Sequence, residues 1–474
     1  MKNYNAVLLV ILIVLLSGCA SRTVELPVAP ASVEKNEPLD FSGYWEGTLT
    51  IAPSNSLVIG FTITSSGDGL YEALLQIPTQ GLRDFKVSSI QQDQDLLTIG
   101  LEQLQASFAG VFNAETQQIE GTFTQMGQSL TLTLSLEELQ ENTRPQDPKK
   151  PYPYISEDSM FAQAPEGFLL AGTITRPEGN GPFPAVVLVS GSGSQNRDEE
   201  LMGHRPFLVL ADTLTRSGIV VLRYDDRGFA KSEGDSSNAT SLDFADDAES
   251  AVNFLKGMPY VDADKIGIIG HSEGAIIAPI VAQRDEDVAF LVLMAGPGVN
   301  GLAILEDQTA AVLRAQQASE PVIAQIVETN MSIYATALDE SRTLDERKES
   351  VFQTLMTMGL PLEAANAQIP SLFSAWYLTF LTLNPADYLQ KLAIPVMILN
   401  GTKDTQVSAA INVPAIEAAL LSGGNTRYTT KVYEGLNHLF QPATTGAPDE
   451  YGTIETTIDW QVLEDISSWI VQVK

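Results

Sequence analysis

The sequence predicts an α/β protein. A mostly parallel sheet flanked by helices carries a helical insertion and is preceded by a small antiparallel all-β domain. Three observations carry this reading. From about Phe168 onward, short apolar runs alternate with helical patterns, and strands separated by helices pair in parallel. Residues 41–140 instead hold short alternating runs divided by turns, the pattern of an antiparallel barrel or sandwich. From about 300 to 390 the strands stop and apolar residues recur at helical spacing. A chain of 474 residues with 44% hydrophobic content suits more than one domain and can bury sizeable cores.

Residues 1–18 read as a targeting segment. Lys2 supplies positive charge ahead of the apolar run Ala6 to Leu16, which is shorter than the about 20 residues a bilayer span takes. The run ends in Leu16-Ser-Gly-Cys19, which resembles a bacterial lipobox. That resemblance implies a lipoprotein signal peptide, cleavage before Cys19 and lipidation of its thiol and new amine. Each buried CH₂ of such an acyl chain contributes about 0.8 kcal/mol, so several chains anchor a soluble domain to a bacterial membrane. Ala20 rather than Asp after the cysteine implies the outer membrane. The expected location is the cell envelope, facing the periplasm or the exterior. Cys19 is the single cysteine, which excludes an intrachain disulfide, a cysteine zinc site and a thiol nucleophile downstream. The formal charge of −32 repels nucleic acid, so none is expected as a partner.

Residues 19–40, with Pro27, Pro30 and Pro38, read as a tether. In the all-β domain, Trp45–Ile51, Leu57–Ile63, Leu96–Leu101, Ser107–Phe112, Ile119–Thr124 and Leu130–Leu136 are the expected strands. They hold no histidine and no paired catalytic groups, so a packing or substrate-restricting role is expected. Residues 141–160 are polar and Pro-rich and predict an extended linker. The catalytic domain is expected over 161–474.

In that domain the expected strands are Phe168–Thr175, Ala185–Val189, Ile219–Tyr224, Ile266–Ile269, Ala289–Ala295, Val396–Leu399 and Arg427–Tyr433. Helices are expected at Phe207–Ser217, at Asp243–Leu255 with Phe244, Ala248, Ala251 and Leu255 on one face, at Ala409–Leu420 and at Ile454–Val471. Ile304, Val312, Ile323, Ile326, Ile333, Leu355, Leu372, Trp376 and Phe380 are among the apolar anchors of the insertion.

The chemistry centres on Gly270-His-Ser-Glu-Gly274, between an apolar strand and a small-residue helix. The pattern G-x-S-x-G in that context is a nucleophile elbow. A sharp turn exposes the serine hydroxyl, and glycines on either side let strand and helix close up. A serine needs a base, and the base needs an orienting acid. The chain has three histidines. His271 lies inside the elbow and points away from Ser272. His204 precedes the serine and is a candidate for the site entrance only. His438, in the loop Glu434–Phe440, remains as the base. Asp404 follows the strand Ile394–Asn400, at the carboxyl end where ligands gather in open sheets. The order Ser272, Asp404, His438 completes a triad.

With the loop Ser190–Asp198 and the run Arg223-Tyr-Asp-Asp-Arg-Gly228, these residues resemble the α/β-hydrolase family from about Gly167 to the C-terminus. The branch they resemble is the bacterial lipoprotein esterases with a dienelactone-hydrolase-like or acyl-aminopeptidase-like core. The resemblance implies that the insertion at about 300–390 forms a helical cap over the site. It is looser for the β-domain, which is similar to that ahead of some bacterial esterases.

The backbone amides of Glu273 and Ser192 are the expected oxyanion donors. Many family members carry His-Gly where this chain has Ser190-Gly191. The Glu273 side chain is expected to bond the 195–198 loop or face solvent, and Asp225 and Arg227 to form an ion pair fixing that loop. No metal site or cofactor is expected; Gly191-Ser-Gly193 lacks the third glycine of a dinucleotide fingerprint. The expected function is a serine carboxylic-ester hydrolase acting on small to medium acyl esters through an acyl-enzyme. Two alternatives stay open: a serine peptidase or amidase of the same fold, and a degraded hydrolase serving as a membrane-tethered binding protein. Oligomeric state is open.

Overall fold

The computed structural model describes residues 39–52, 55–67, 70–77, 82–125, 128–138 and 144–473. The expected signal peptide, Cys19 and all but the last two residues of the tether lie outside them. The chain divides into two compact units, residues 1–142 and 143–474.

The first unit is a nine-stranded antiparallel meander. Its strands are β1 (Gly43–Ala52), β2 (Asn55–Gly67), β3 (Leu70–Ile77), β4 (Leu82–Lys86), β5 (Ser89–Asp93), β6 (Leu96–Leu101), β7 (Ala106–Asn113), β8 (Gln118–Gln125) and β9 (Gln128–Glu137). Their order is β4-β3-β2-β1-β9-β8-β7-β6-β5. The two edge strands are consecutive in the chain. Between them the Val87 amide donates to the Ala73 carbonyl of β3 at 3.2 Å, so the sheet curls back on itself. Alternation makes the core. Ala106 and Phe108 of β7 point inward while Ser107 and Ala109 face out. The inward side chains, among them Trp45, Phe61, Leu75, Phe108 and Leu132, form one cluster.

The second unit is built on an eight-stranded mixed sheet. Its strands are β10 (Ile155–Ala162), β11 (Leu169–Arg176), β12 (Phe183–Val189), β13 (Val220–Tyr224), β14 (Val261–His271), β15 (Val288–Met294), β16 (Val396–Gly401) and β17 (Tyr428–Tyr433). They lie in the order β10-β11-β13-β12-β14-β15-β16-β17. The run from β13 to β17 is parallel, whereas β10 and β11 pair antiparallel with each other and β11 antiparallel with β13. The expected parallel sheet is therefore only partly parallel.

Both faces of the sheet are covered, which is why β12 is apolar without interruption. Ala185, Val187 and Val189 pack on the side of α2 (Ser241–Lys256) and α3 (Gly274–Arg284). Val186 and Leu188 pack on the side of α1 (Pro206–Arg216) and α11 (Trp460–Gln472). Helix α2 starts where a capping box forms: the Thr240 hydroxyl caps the first turn and the Asp243 carboxylate returns to the Thr240 amide.

Between β15 and β16 the chain runs through α4 (Gly301–Ala315), α5 (Glu320–Ala337), α6 (Leu344–Thr357), α7 (Leu362–Leu372), α8 (Ala375–Thr382) and α9 (Ala386–Leu389). This is the expected helical insertion. Ile304, Ile323, Ile333, Leu355 and Leu372 are buried within it.

Two boundaries differ from the sequence reading. The expected linker, 141–160, contains most of β10. Its Ser-Glu-Asp-Ser stretch is polar because β10 is the exposed edge of the sheet, and an edge strand needs no apolar outer face. Ahead of it, the Arg144 guanidinium donates to the carbonyls of Met202, Gly203, Gly452 and Ile454, so this stretch is part of the second unit rather than a free linker. The final helix, expected from Ile454, begins at Trp460. Asp459 caps it by accepting from the Gln461 amide, and Thr457 is bonded to His204 before it. Helix α10 (Ala409–Ser422) starts where expected and runs past the expected end at Leu420.

Candidate active site

Strand β14 ends at His271, and α3 begins at Gly274. Ser272 sits between them at φ 53, in the left-handed region that costs an L-residue roughly 1–2 kcal/mol. Its amide donates to the Met294 carbonyl at the end of β15 at 2.9 Å, which fixes the turn against the sheet. The flanking glycines are required by close approach. A Cβ on Gly270 would lie 2.1 Å from the Gly274 carbonyl oxygen, and one on Gly274 would lie 2.1 Å from that of Val189. Ser272 is half-buried at the carboxyl end of the central strand.

Asp404 follows β16 and His438 follows β17, so parallel neighbours bring both to the same end of the sheet as Ser272. His438 Nδ1 lies 2.8 Å from Asp404 Oδ2. The other Asp404 oxygen accepts from the amides of Gln406 and Val407, at 2.9 and 2.8 Å. The carboxylate is thereby aimed at the imidazole. Since it accepts, Nδ1 carries the proton and Nε2 presents a lone pair. Both residues are 4% exposed. The His438 turn is knit by Asn437, whose Oδ1 accepts from the amides of Leu439 and Gln441.

The loop after β12 is pinned along its length. Asp226 accepts from the Ser190 hydroxyl at 3.0 Å and from the Gln195 amide at 2.7 Å. Asp225 binds the Arg197 guanidinium through both its oxygens, at 2.9 and 2.7 Å, and accepts the Arg197 amide as well. The Gly191 amide donates to Glu199 Oε1 at 2.9 Å and is thus occupied. Ser192 to Ser194 form the exposed crest. Burial pushes the Asp226 carboxyl up to about 8, against the two donors that favour its charge.

Several residues stand elsewhere than the sequence suggested. Glu273 neither reaches the 195–198 loop nor faces solvent. It is buried, and its Oε1 accepts from Ser241 Oγ at 2.6 Å and from Trp376 Nε1 at 2.8 Å. Burial raises its pKa, partly offset by those two donors. Ser241 opens α2 and Trp376 lies on α8, so the residue after Ser272 ties the insertion to the elbow. Asp225 and Arg227 do not pair with each other. Arg227 binds Asp247 through both carboxylate oxygens, at 2.7 Å each, and locks α2, while Asp225 holds Arg197. His204 is fully buried away from any entrance, between Thr457 Oγ1 and the Tyr451 carbonyl, each at 2.9 Å. Burial, with the Arg144 charge nearby, lowers its pKa to about 4.

Sequence reasoning missed Glu199. Its carboxylate is 4% exposed and meets His271 Nδ1 at 2.9 Å. In the sequence it is one acid within Asp198-Glu-Glu200, a run that reads as a solvated face. No local signal separates it from its neighbours.

A model of the X-Pro dipeptidyl-peptidase (S15) family matches residues 166–413, more than half of the chain. The chain is 28% identical over 305 residues to Esterase EstD of Thermotoga maritima, covering 64% of this chain and 66% of that one. It is 30% identical over 146 residues to the polyketide transferase claH of Penicillium crustosum, 28% of this chain and 42% of that one. The chain thus spans less than two thirds of the length of these curated relatives. Among solved structures, an esterase of Pyrococcus furiosus matches at 20% identity and a TM-score of 0.42, over 69% of this chain and 97% of its own. Over residues 166–413, which run from β11 through the elbow and the helical insertion to the start of α10, this chain belongs to the X-Pro dipeptidyl-peptidase (S15) family of α/β hydrolases.

Proposed function

We propose that the protein is a serine carboxylic-ester hydrolase in which Ser272 is the nucleophile, His438 the general base and Asp404 the orienting acid. The observation that carries the reading is the buried His438 Nδ1 to Asp404 Oδ2 bond of 2.8 Å, at the sheet end where Ser272 holds its strained turn. Ser272 Oγ attacks the ester carbonyl while His438 Nε2 takes its proton. Imidazolium forms against the Asp404 carboxylate, which stabilises it and holds the tautomer. The proton then goes to the leaving alkoxide, and the alcohol departs. Water attacks the acyl-enzyme with His438 again as base, releasing the carboxylic acid. Proton transfer of this kind contributes about 10²–10⁴ in rate.

The tetrahedral oxyanion falls to the amides of Glu273 and Ser192. Neither donates to a group among the described residues, whereas the neighbouring Gly191 amide does. Each such donor contributes roughly 10²–10³. Similarity to Esterase EstD supports an ester as substrate. The aromatic side chains of Trp376 and Phe380, stacked with ring centroids 5.5 Å apart on the helix bonded to Glu273, favour a bounded acyl pocket and small to medium acyl groups. The Cys19 anchor and envelope location belong to the same proposal, checked by acyl labelling of the full-length chain and of Cys19→Ala.

A peptidase reading is favoured by the family model's description alone. A dipeptidyl-peptidase must hold a cationic N-terminus with a carboxylate. Glu273, the acid beside Ser272, already accepts from Ser241 and Trp376 in a buried setting that opposes its charge.

The test assays a p-nitrophenyl ester series from acetate to palmitate beside alanyl-prolyl p-nitroanilide, with Ser272→Ala in parallel. Ester turnover that peaks at short or medium chains and is lost in the variant is expected. Cleavage of the anilide in preference to every ester selects the peptidase. Equal rates in wild type and variant remove the triad.

A further inference from the structure

A second acid–histidine pair lies beside the proposed triad, and the reaction above does not use it. His271 and Glu199 are 6% and 4% exposed and meet at 2.9 Å, Nδ1 to Oε1. The other ring nitrogen, Nε2, lies 3.0 Å from the His438 carbonyl oxygen. A carbonyl only accepts, so Nε2 carries a proton. Glu199 Oε1 accepts at the same time from the Gly191 amide at 2.9 Å. One oxygen facing an obligatory donor and a ring nitrogen is best satisfied as a carboxylate beside an imidazolium. The surroundings are apolar: Phe207, Met294, Leu439, Phe440 and Ile458 share the pocket wall. Burial there opposes the charge on His271, yet the Glu199 carboxylate and the His438 carbonyl outweigh it and raise the pKa.

The pair joins three loops that are distant in sequence. Glu199 holds Gly191, the residue before the proposed oxyanion donor Ser192. His271 belongs to the elbow and precedes Ser272. The His438 carbonyl belongs to the residue whose ring is the proposed base, and the two histidine rings stand with centroids 4.8 Å apart. Asp225 and Asp226 hold the first loop, the Met294 carbonyl the second and Asp404 the third, each to its own surroundings. The bonds of the pair are what tie the three loops directly to one another. Acyl transfer is sensitive to displacement between them, since a misplacement of about 1 Å costs on the order of 10² in rate.

We propose that Glu199 and His271 are positioning residues for acyl transfer: their three hydrogen bonds set the oxyanion loop, the nucleophile turn and the base loop in register. The inference rests on the serine-hydrolase reading given above.

Glu199→Gln keeps the shape but supplies no charge, so its one facing oxygen cannot serve an imidazolium as the carboxylate does. His271→Gln retains a donor for the His438 carbonyl and loses the ion pair. Wild type, both variants and Ser272→Ala are compared at 25 °C for p-nitrophenyl acetate turnover and for the rate of Ser272 labelling by a fluorophosphonate. In each of the two pair variants kcat falls by about tenfold or more with KM within about threefold, and the labelling rate falls in proportion. Glu199→Ala falls further. A purely structural role would lower the thermal midpoint and leave the labelling rate at 25 °C unchanged. The proposal is overturned if kcat and labelling in both conservative variants stay within about threefold of wild type while Ser272→Ala is inactive. Should Ser272→Ala keep the wild-type rate, the serine reading itself fails first, and the two failures are told apart. If one variant does not fold, the other decides by the same criterion.

Discussion

Trp376 Nε1 on α8 donates to Glu273 Oε1 at 2.8 Å, spanning 103 residues of chain to reach the residue after Ser272. The bond couples the helical insertion to the nucleophile turn. Its acceptor is buried and is shared with the Ser241 hydroxyl, so loss of one donor leaves the other in place.

Trp376→Phe therefore tests the bond with little change of volume. Losing one hydrogen bond to a buried carboxyl costs about 1–3 kcal/mol of stability, and the ring stack on Phe380 is retained. Trp376→Ala removes the ring too. It is expected to move the preferred p-nitrophenyl ester toward longer acyl chains, with the largest change in KM for the longest esters. An unchanged chain-length profile in Trp376→Ala would place the acyl group elsewhere.

Ser272 holds φ 53, and glycine is free of the Cβ penalty there. Relief of roughly 1–2 kcal/mol of strain is partly offset by up to about 1 kcal/mol of added unfolded-state entropy. Ser272→Gly is thus expected to be inactive yet at least as stable as wild type, and Ser272→Ala inactive without the gain. Denaturant midpoints of the two variants decide it. A less stable glycine variant means that the turn carries no strain.

The proposed triad could be read from the sequence because each of its three residues follows an expected strand, in a chain order that suits the fold. Gly270 and Gly274 announced the turn, and His438 stood out because so few histidines compete with it. The supporting shell was not legible. Glu199, Arg197 and Asp225 are held by contacts across 28 to 72 residues, which no local period records. Ordinary polarity misled in the same way at β10. An edge strand and a linker share the same composition, and only the pairing with β11 separates them. The start of α11 was placed too early because the residues before Asp459 are engaged outside the helix: Thr457 bonds His204, and Ile458 packs in the core beside Phe207 and Phe440.

Gly274→Ala would set its methyl carbon 2.1 Å from the Val189 carbonyl oxygen, a backbone atom that does not yield. The elbow must shift away from β12, and with it Ser272. A cost of several kcal/mol is expected, read as loss of soluble protein or a large fall in thermal midpoint. If the variant is soluble with a wild-type midpoint, the strand and helix are further apart than this geometry gives.

His204 gives a pH dependence with a definite sign. Its Nε2 donates to the Tyr451 carbonyl and its Nδ1 accepts from the Thr457 hydroxyl, so the neutral ring is fully satisfied and the burial opposes protonation. The folded pKa of about 4 lies below the ordinary 6.5, so between those values the unfolded chain binds the extra proton. The contribution is therefore present above pH 6.5 and is lost as pH falls toward 4, by a few kcal/mol at most. Asp226 works in the opposite direction. Its folded pKa of about 8 makes the folded state the better proton binder from there down to the ordinary 3.8, so acidification stabilises through that group. The two slopes oppose each other in wild type, and a single stability curve does not resolve them. His204→Asn removes one. Relative to wild type it should lose stability at pH 7.5 and recover part of the difference by pH 5, as measured by urea unfolding at both pH values. A difference that is constant between the two would mean that His204 titrates alike in the folded and unfolded states.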